Sequence, residues 1–262
     1  MAPQGVPARG PVLFHVGASS RASQPRGRSQ RTMPMPDPTP VLAQVFAKVP
    51  FPAADARARA ALVAVDLQVD FLPGGRLAVP GGHEVVPLAN AVARHFPVVV
   101  LTQDWHPPGH VSFASSHPGR APFDEIDLPY GRQILWPDHC VQETDGARLS
   151  AALDIPHAQL IIRKGHHRTI DSYSTFYEAD RTTPTGLSGY LRDRGIDTVY
   201  LLGLATDFCV SWSAVDAARH GFATHVIEDA CRALDVDGSL ARAHADMAAA
   251  GVRRVRLADV IA

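Results

Sequence analysis

From about residue 58 onward the chain repeats one pattern: a short, nearly unbroken apolar run, then a stretch whose apolar positions recur at helical spacing. The runs are ALVAVD (61–66), PVVVLT (97–102), AQLIIRK (158–164), TVYLLG (198–203), ATHVIED (223–229) and RRVRL (253–257). A strand with one face in water alternates apolar and polar residues, whereas an unbroken apolar run needs cover on both faces. Helical patterns at about 84–96, 186–195, 207–220 and 237–250 can provide that cover, with Gly195, Gly221 and Gly251 placed to stop three of them. The pattern predicts an α/β fold, an open six-stranded parallel sheet with helices on both faces.

At 262 residues and 46% hydrophobic composition the chain can bury a full core. Its 25 basic and 26 acidic residues nearly cancel, which points away from nucleic acid or an anionic membrane as partner. No apolar run approaches the roughly twenty residues that cross a bilayer. The three cysteines, Cys140, Cys209 and Cys231, lack the density of a disulfide scaffold, so reduced thiols in a cytoplasmic setting are expected.

Two stretches break the pattern. Residues 1–57 read as an extension, of which 1–40 are rich in Pro, Ser, Gln and Arg, without an acid before Asp37. That composition predicts an unfolded tail, with a start at Met33 or Met35 and an arginine-rich transit segment as the other readings. Residues 103–157 carry Pro, His and Asp with little regular pattern, and a loop that long inside a compact domain is expected to be functional.

In an open parallel sheet, ligands bind beyond the carboxyl ends of the strands, so the residues ending each run matter most. The first run ends at Asp66, the second leads to Asp104 and His106, the third ends at Lys164, and the fourth runs through GLATDFCV to Cys209. Asp66, Lys164 and Cys209 supply a base, a cation and a thiol, the parts of an activated nucleophile. A helix start with a nearby cation is expected to favour the thiolate at Cys209. Asp104 and His106 are two apart and in extended chain face one way, as two ligands of one metal do. His139, in WPDHC, is the candidate third ligand and His110 a fourth. Each has an ordinary alternative: Asp66 as a helix cap, Lys164 as a solvated strand end, the histidines as hydrogen-bonded loop residues. Cys140 is either a ligand or a packing residue, Cys231 reads as buried packing, and His166 and His167 receive no role.

The segments DLQVDFLPGGRLAVPGG (66–82), QDWHPPGHVSF (103–113), WPDHCVQ (136–142), KG with DSYSTF (164–176), GLATDFCV (203–210) and EDACRA (228–233) together resemble the nicotinamidases, also called pyrazinamidases, of the isochorismatase-like cysteine hydrolases. The resemblance spans about residues 58–262. It implies the isochorismatase-like fold and hydrolysis of nicotinamide to nicotinate and ammonia, with action on pyrazinamide as well. It implies Asp66, Lys164 and Cys209 as the catalytic set, and Asp104, His106 and His139 as ligands of a divalent transition metal, zinc before iron or manganese. Phe71, Trp136 and Tyr173 would line the pyridine pocket, and Ala205 and Cys209 would give backbone N–H groups to an oxyanion, next to a cis Leu204–Ala205 bond. Phe208 stands where other members carry Tyr or His.

Two rivals remain at this level. One is a related amidase acting on carbamoyl or ureido groups, which would need no pyridine anchor. The other is a zinc-hydroxide hydrolase in which Cys209 is a bystander. The partner expected is the small-molecule substrate alone, with no nucleic acid and no membrane, and with a homo-oligomer left open.

Overall fold

The computed structural model describes residues 58–260; the expectations for residues 1–57 lie outside them. Six strands form one parallel sheet: β1 (Ala60–Val65), β2 (Val98–Asp104), β5 (Leu160–Lys164), β6 (Thr198–Leu204), β7 (Ala223–Arg232) and β8 (Arg253–Val255), in the spatial order β5-β2-β1-β6-β7-β8. All six predicted runs are strands, with ends shifted by at most three residues. Every residue of β1 is buried, and because successive side chains point to opposite faces, both faces there are covered. The edge strand β5 instead alternates, and its Ile161 is exposed.

The predicted helical stretches appear as α1 (Val85–Ala93), α2 (Leu187–Asp193), α3 (Ser211–Arg219) and α4 (Ser239–Ala249), followed by a short α5 (Leu257–Val260) that the sequence pattern did not mark. Gly195, Gly221 and Gly251 adopt φ of +67°, +87° and +78°, just past three of these helices, as stop positions require. Residues 207–220 are not one regular helix: Thr206–Val210 form a π-helical turn that leads into α3. Wide turns of this kind recur at functional sites.

The 103–157 stretch holds a small antiparallel hairpin, β3 (Glu125–Leu128) with β4 (Gly131–Ile134), which the sequence reading missed. Only Gln133 of its eight residues is buried, so no apolar alternation marked it.

The chain leaves β1 toward β2 and β5 on one side and returns to β6 on the other. The carboxyl ends of β1 and β6 therefore flank the point where strand order reverses, the position at which open sheets bind ligands. Gly203 makes the close approach there feasible. Its φ is +128°, and a Cβ at that position would stand 2.2 Å from the Val65 carbonyl oxygen.

Candidate active site

Asp66 directly follows β1 and adopts φ +50°, a left-handed conformation that is uncommon for a non-glycine residue. It is fully buried and held twice by Thr102 of β2: its backbone N–H donates to Oγ1 at 3.0 Å, and the Thr102 hydroxyl donates to Oδ1 at 2.5 Å. The second oxygen, Oδ2, lies 2.9 Å from Lys164 Nζ. Register pairs Lys164 with Asp104 of the neighbouring strand, and the ammonium also meets Asp104 Oδ1 in a very close ion pair. Lys164 Nζ donates to the Ser172 carbonyl at 3.0 Å and to Cys209 Sγ at 3.3 Å. The lysine is fully buried, so its charge persists only because two carboxylates face it.

Proton affinities follow from this packing. Burial works against the lysine's charge, but Asp104 and Asp66 raise its pKa well above the ordinary value. Burial pushes Asp66 up, with Lys164 opposing and Asp104 reinforcing. Burial would also push Asp104 up, yet Lys164 and His106 hold it well below the carboxylate range. The expected preference for a Cys209 thiolate does not appear. Burial pushes its thiol well up and outweighs Lys164, while Asp66 and Asp104 add to the rise, a balance that favours the thiol.

The second group shares Asp104. His106 Nε2 and His139 Nε2 each lie 3.7 Å from Asp104 Oδ2, and all three residues are buried. His106 Nδ1 is 2.9 Å from the Gly165 carbonyl, and His139 Nδ1 is 2.8 Å from that of Pro137. A carbonyl only accepts, so each ring carries a proton on Nδ1, and Nε2, the nitrogen turned toward Asp104, is the one left to bind a metal. Two imidazole nitrogens and a carboxylate oxygen, within 4.8 Å of one another, fit a divalent transition ion. Gly165, with φ +64°, lets the His106 ring lie against the backbone, where a Cβ would come within 2.5 Å of Cε1.

His110 does not join this set as a fourth ligand. Its Nε2 faces the carbonyls of His167 and Ile170 at 3.0 and 3.1 Å, and its Nδ1 faces the Ser112 hydroxyl at 2.8 Å. Burial, followed by the neighbouring His106, lowers its pKa to about 4. It stacks on His106 with ring centroids 4.2 Å apart and supports that ring as a neutral imidazole. Cys140 is buried with its thiol pushed well up by burial, and Cys231 is likewise buried, pushed up to about 12.

Both groups reach a small cavity lined by Phe71, Trp136, Tyr173, Phe208, Ala205 and Cys209 and by Asp104, His106 and His139. Trp136 Nε1 donates to the Tyr173 hydroxyl at 2.9 Å, and Phe208 packs edge-on against Trp136 and tilted against Tyr173. The Leu204–Ala205 peptide is cis.

Several supporting residues escaped the sequence reading. Gln68 bridges strands by donating to the carbonyls of Asp104 and Ala147 and accepting from the Asp104 N–H at 2.8 Å. Asp70 Oδ2 accepts from the Cys140 N–H at 2.7 Å, anchoring the backbone next to His139. Asp171 accepts from Gln133 Nε2 at 2.7 Å and faces the cavity. Gln68 and Asp70 had a signal, since they are polar residues set among apolar ones in LQVDF. Thr102 had none, being an ordinary strand residue.

A base, a cation and a thiol at the switch point of a doubly wound sheet define a cysteine hydrolase site. In agreement, residues 60–259 match the isochorismatase domain model, and the chain belongs to the isochorismatase family. Its similar proteins narrow the class further. The nicotinamidase of Acinetobacter baylyi is 57% identical over 201 residues, 77% of this chain and 94% of that protein. The solved nicotinamidase/pyrazinamidase of Acinetobacter baumanii superposes with a TM-score of 0.76 at 56% identity, covering 77% of this chain and 98% of that one. The pyrazinamidase of Pyrococcus horikoshii, solved in complex with zinc, gives 0.62 at 35% identity over 76% and 99% of the two chains.

Proposed function

We infer that the protein is an amidohydrolase that converts nicotinamide to nicotinate and ammonia through a thioester on Cys209, and that pyrazinamide is a second substrate. The observation that carries this reading is Lys164, buried and in contact at once with Asp66, Asp104 and the Cys209 sulfur, at a cavity with aromatic walls. The similarity to nicotinamidases along nearly their whole length supports the choice of substrate.

The chemistry begins from the neutral thiol. Among the described residues Asp66 Oδ2 receives no well-aligned hydrogen bond, and Cys209 Sγ lies within 4.8 Å of the Asp66 and Asp104 carboxylates. Asp66 takes the thiol proton as sulfur attacks the carboxamide carbon, so a discrete resting thiolate is not needed. The backbone N–H groups of Ala205 and Cys209 hold the oxyanion, a contribution of about 3 kcal/mol per donor in comparable sites. Asp66 returns the proton to nitrogen as the C–N bond breaks and ammonia leaves. It then takes a proton from water, whose oxygen displaces the sulfur, and returns that proton to the departing Cys209 sulfur, which restores the thiol as the acid product is released and ionises to nicotinate. Lys164 holds its position through both half-reactions and offsets the charge that moves between sulfur and carboxylate.

Phe71, Trp136 and Tyr173, joined by Phe208, would grip the pyridine ring. Asp104, His106 and His139 would hold the metal, with zinc favoured by the two imidazoles and one carboxylate and by the zinc-bound relative. When bound, such an ion supplies a Lewis acid for the ring nitrogen. Among the described residues no helix is long and apolar enough to cross a membrane; the three free cysteines suit the reducing cytoplasm. Residues 58–262 form the hydrolase unit in this reading, and 1–57 an extension outside it.

The test is ammonia release from nicotinamide by the purified, reduced protein, before and after chelation. Release that falls on chelation and returns with zinc is expected. No release by the metal-loaded protein refutes the substrate assignment.

A further inference from the structure

The HHR segment after Lys164 has no part in the reaction above, yet its two imidazoles converge on a buried acid. His167 Nδ1 lies 2.8 Å from Glu178 Oε2 and His166 Nδ1 3.6 Å from Oε1, with the two ring centroids 4.1 Å apart. The Glu178 side chain is 1% exposed, whereas those of His166 and His167 are 49% and 46% exposed. No lysine or arginine pairs with Glu178 among the described residues, and neither of its oxygens receives a well-aligned hydrogen bond. His167 is close enough to lower the carboxyl's proton affinity, although burial raises it more.

A buried carboxylate without a directed donor is expensive, and groups of this kind are normally paired or bound to a metal. Ligands of a common ion aim at the ion rather than at one another, which accounts for short distances without hydrogen-bond alignment. Two Nδ1 atoms and a carboxylate oxygen within 4.8 Å make the same donor set as Asp104, His106 and His139, built a second time at the surface.

We propose that His166, His167 and Glu178 form a second metal site, which takes a divalent transition ion of the zinc, nickel or cobalt class with solvent completing its coordination. This site is separate from the cavity and does not depend on the substrate assignment. Its backbone is already ordered. The Gly165 and His167 carbonyls are contacted by His106 Nδ1 and His110 Nε2, and Glu178 sits in a turn closed by its N–H to the Thr183 carbonyl at 2.9 Å and the Arg181 N–H to its own carbonyl at 3.0 Å. Only side-chain rotation of two exposed histidines remains to be lost on binding. An occupied site would also brace the chain between Lys164 and Tyr173 from outside.

The experiment is equilibrium dialysis of the untagged full chain against buffered zinc at increasing free concentration, with bound metal measured by atomic absorption. The wild type is expected to saturate with one zinc per chain more than the His166→Asn/His167→Asn protein. The isosteric Glu178→Gln protein is expected to bind that additional zinc at least about tenfold more weakly. Equal saturation of wild type and the double variant overturns the proposal, as does an unchanged affinity in Glu178→Gln.

Discussion

The strand ends and the long segment between β2 and β5 reach the same cavity by different means. Asp66, Asp104 and Lys164 are placed by the sheet: β5, β2 and β1 lie side by side, and register sets Asp104 opposite Lys164. Trp136 and His139 come from the segment between β2 and β5, where isolated backbone bridges, Phe113 with Trp136 and His106 with Val141, and single side-chain bonds such as Asp70 to the Cys140 N–H place them. The first arrangement is secured by many ladder bonds, the second by a few single contacts. Charge should therefore dominate the energetics of the strand ends, and single hydrogen bonds those of the loop.

Replacing Lys164 with Met provides the severest break in that comparison. It leaves Asp66 and Asp104 buried without their cation, and a loss of about 3–5 kcal/mol of stability is expected. Urea denaturation measures it, and a loss no greater than for a surface lysine would show that the charges are not coupled as the packing indicates.

Asp70→Ala tests the loop side. Removing the acceptor of a buried N–H is expected to cost about 1–3 kcal/mol, with weaker metal binding as His139 loosens. Calorimetry and metal titration separate the two effects. Stability loss with metal affinity intact would mean that Asp70 braces the chain without positioning the ligand.

Trp136→Ala should raise KM more than it lowers kcat, because the indole faces the cavity wall rather than the sulfur. Steady-state kinetics with nicotinamide gives the split, and a loss confined to kcat would place Trp136 in the chemistry instead. Deleting residues 1–34 is expected to change the rate least, since every residue of the site falls within 66–209. Ammonia release by the shortened protein checks this, and a large loss would show that the extension contributes to the hydrolase unit.

The same contrast explains what was legible in the sequence. The apolar runs revealed the strands, and the polar residue ending each run identified Asp66, Asp104, Lys164 and the stretch leading to Cys209. Strand order was not legible, so the double duty of Asp104, one oxygen toward Lys164 and the other toward two imidazoles, emerged only from the fold. His139 and the aromatic walls came from resemblance and from the oddity of the loop, because periodicity says nothing about a segment held by isolated bridges and single side-chain bonds. Two points changed with the fold. A helix start and a nearby cation favoured a thiolate, but burial pushes the Cys209 thiol the other way; and His110, left open as a fourth ligand, is bonded to carbonyls at one nitrogen and a hydroxyl at the other.

The central claim is that Cys209 carries the acyl group, and rapid quenching during turnover tests it most directly. Mass spectrometry of the peptide bearing Cys209 is expected to show a nicotinoyl adduct in the wild type. No adduct is expected in Cys209→Ala, which should lose about 10⁴-fold or more in rate. Substantial ammonia release by Cys209→Ala, with its metal site still loaded, would contradict the account and move the chemistry to water.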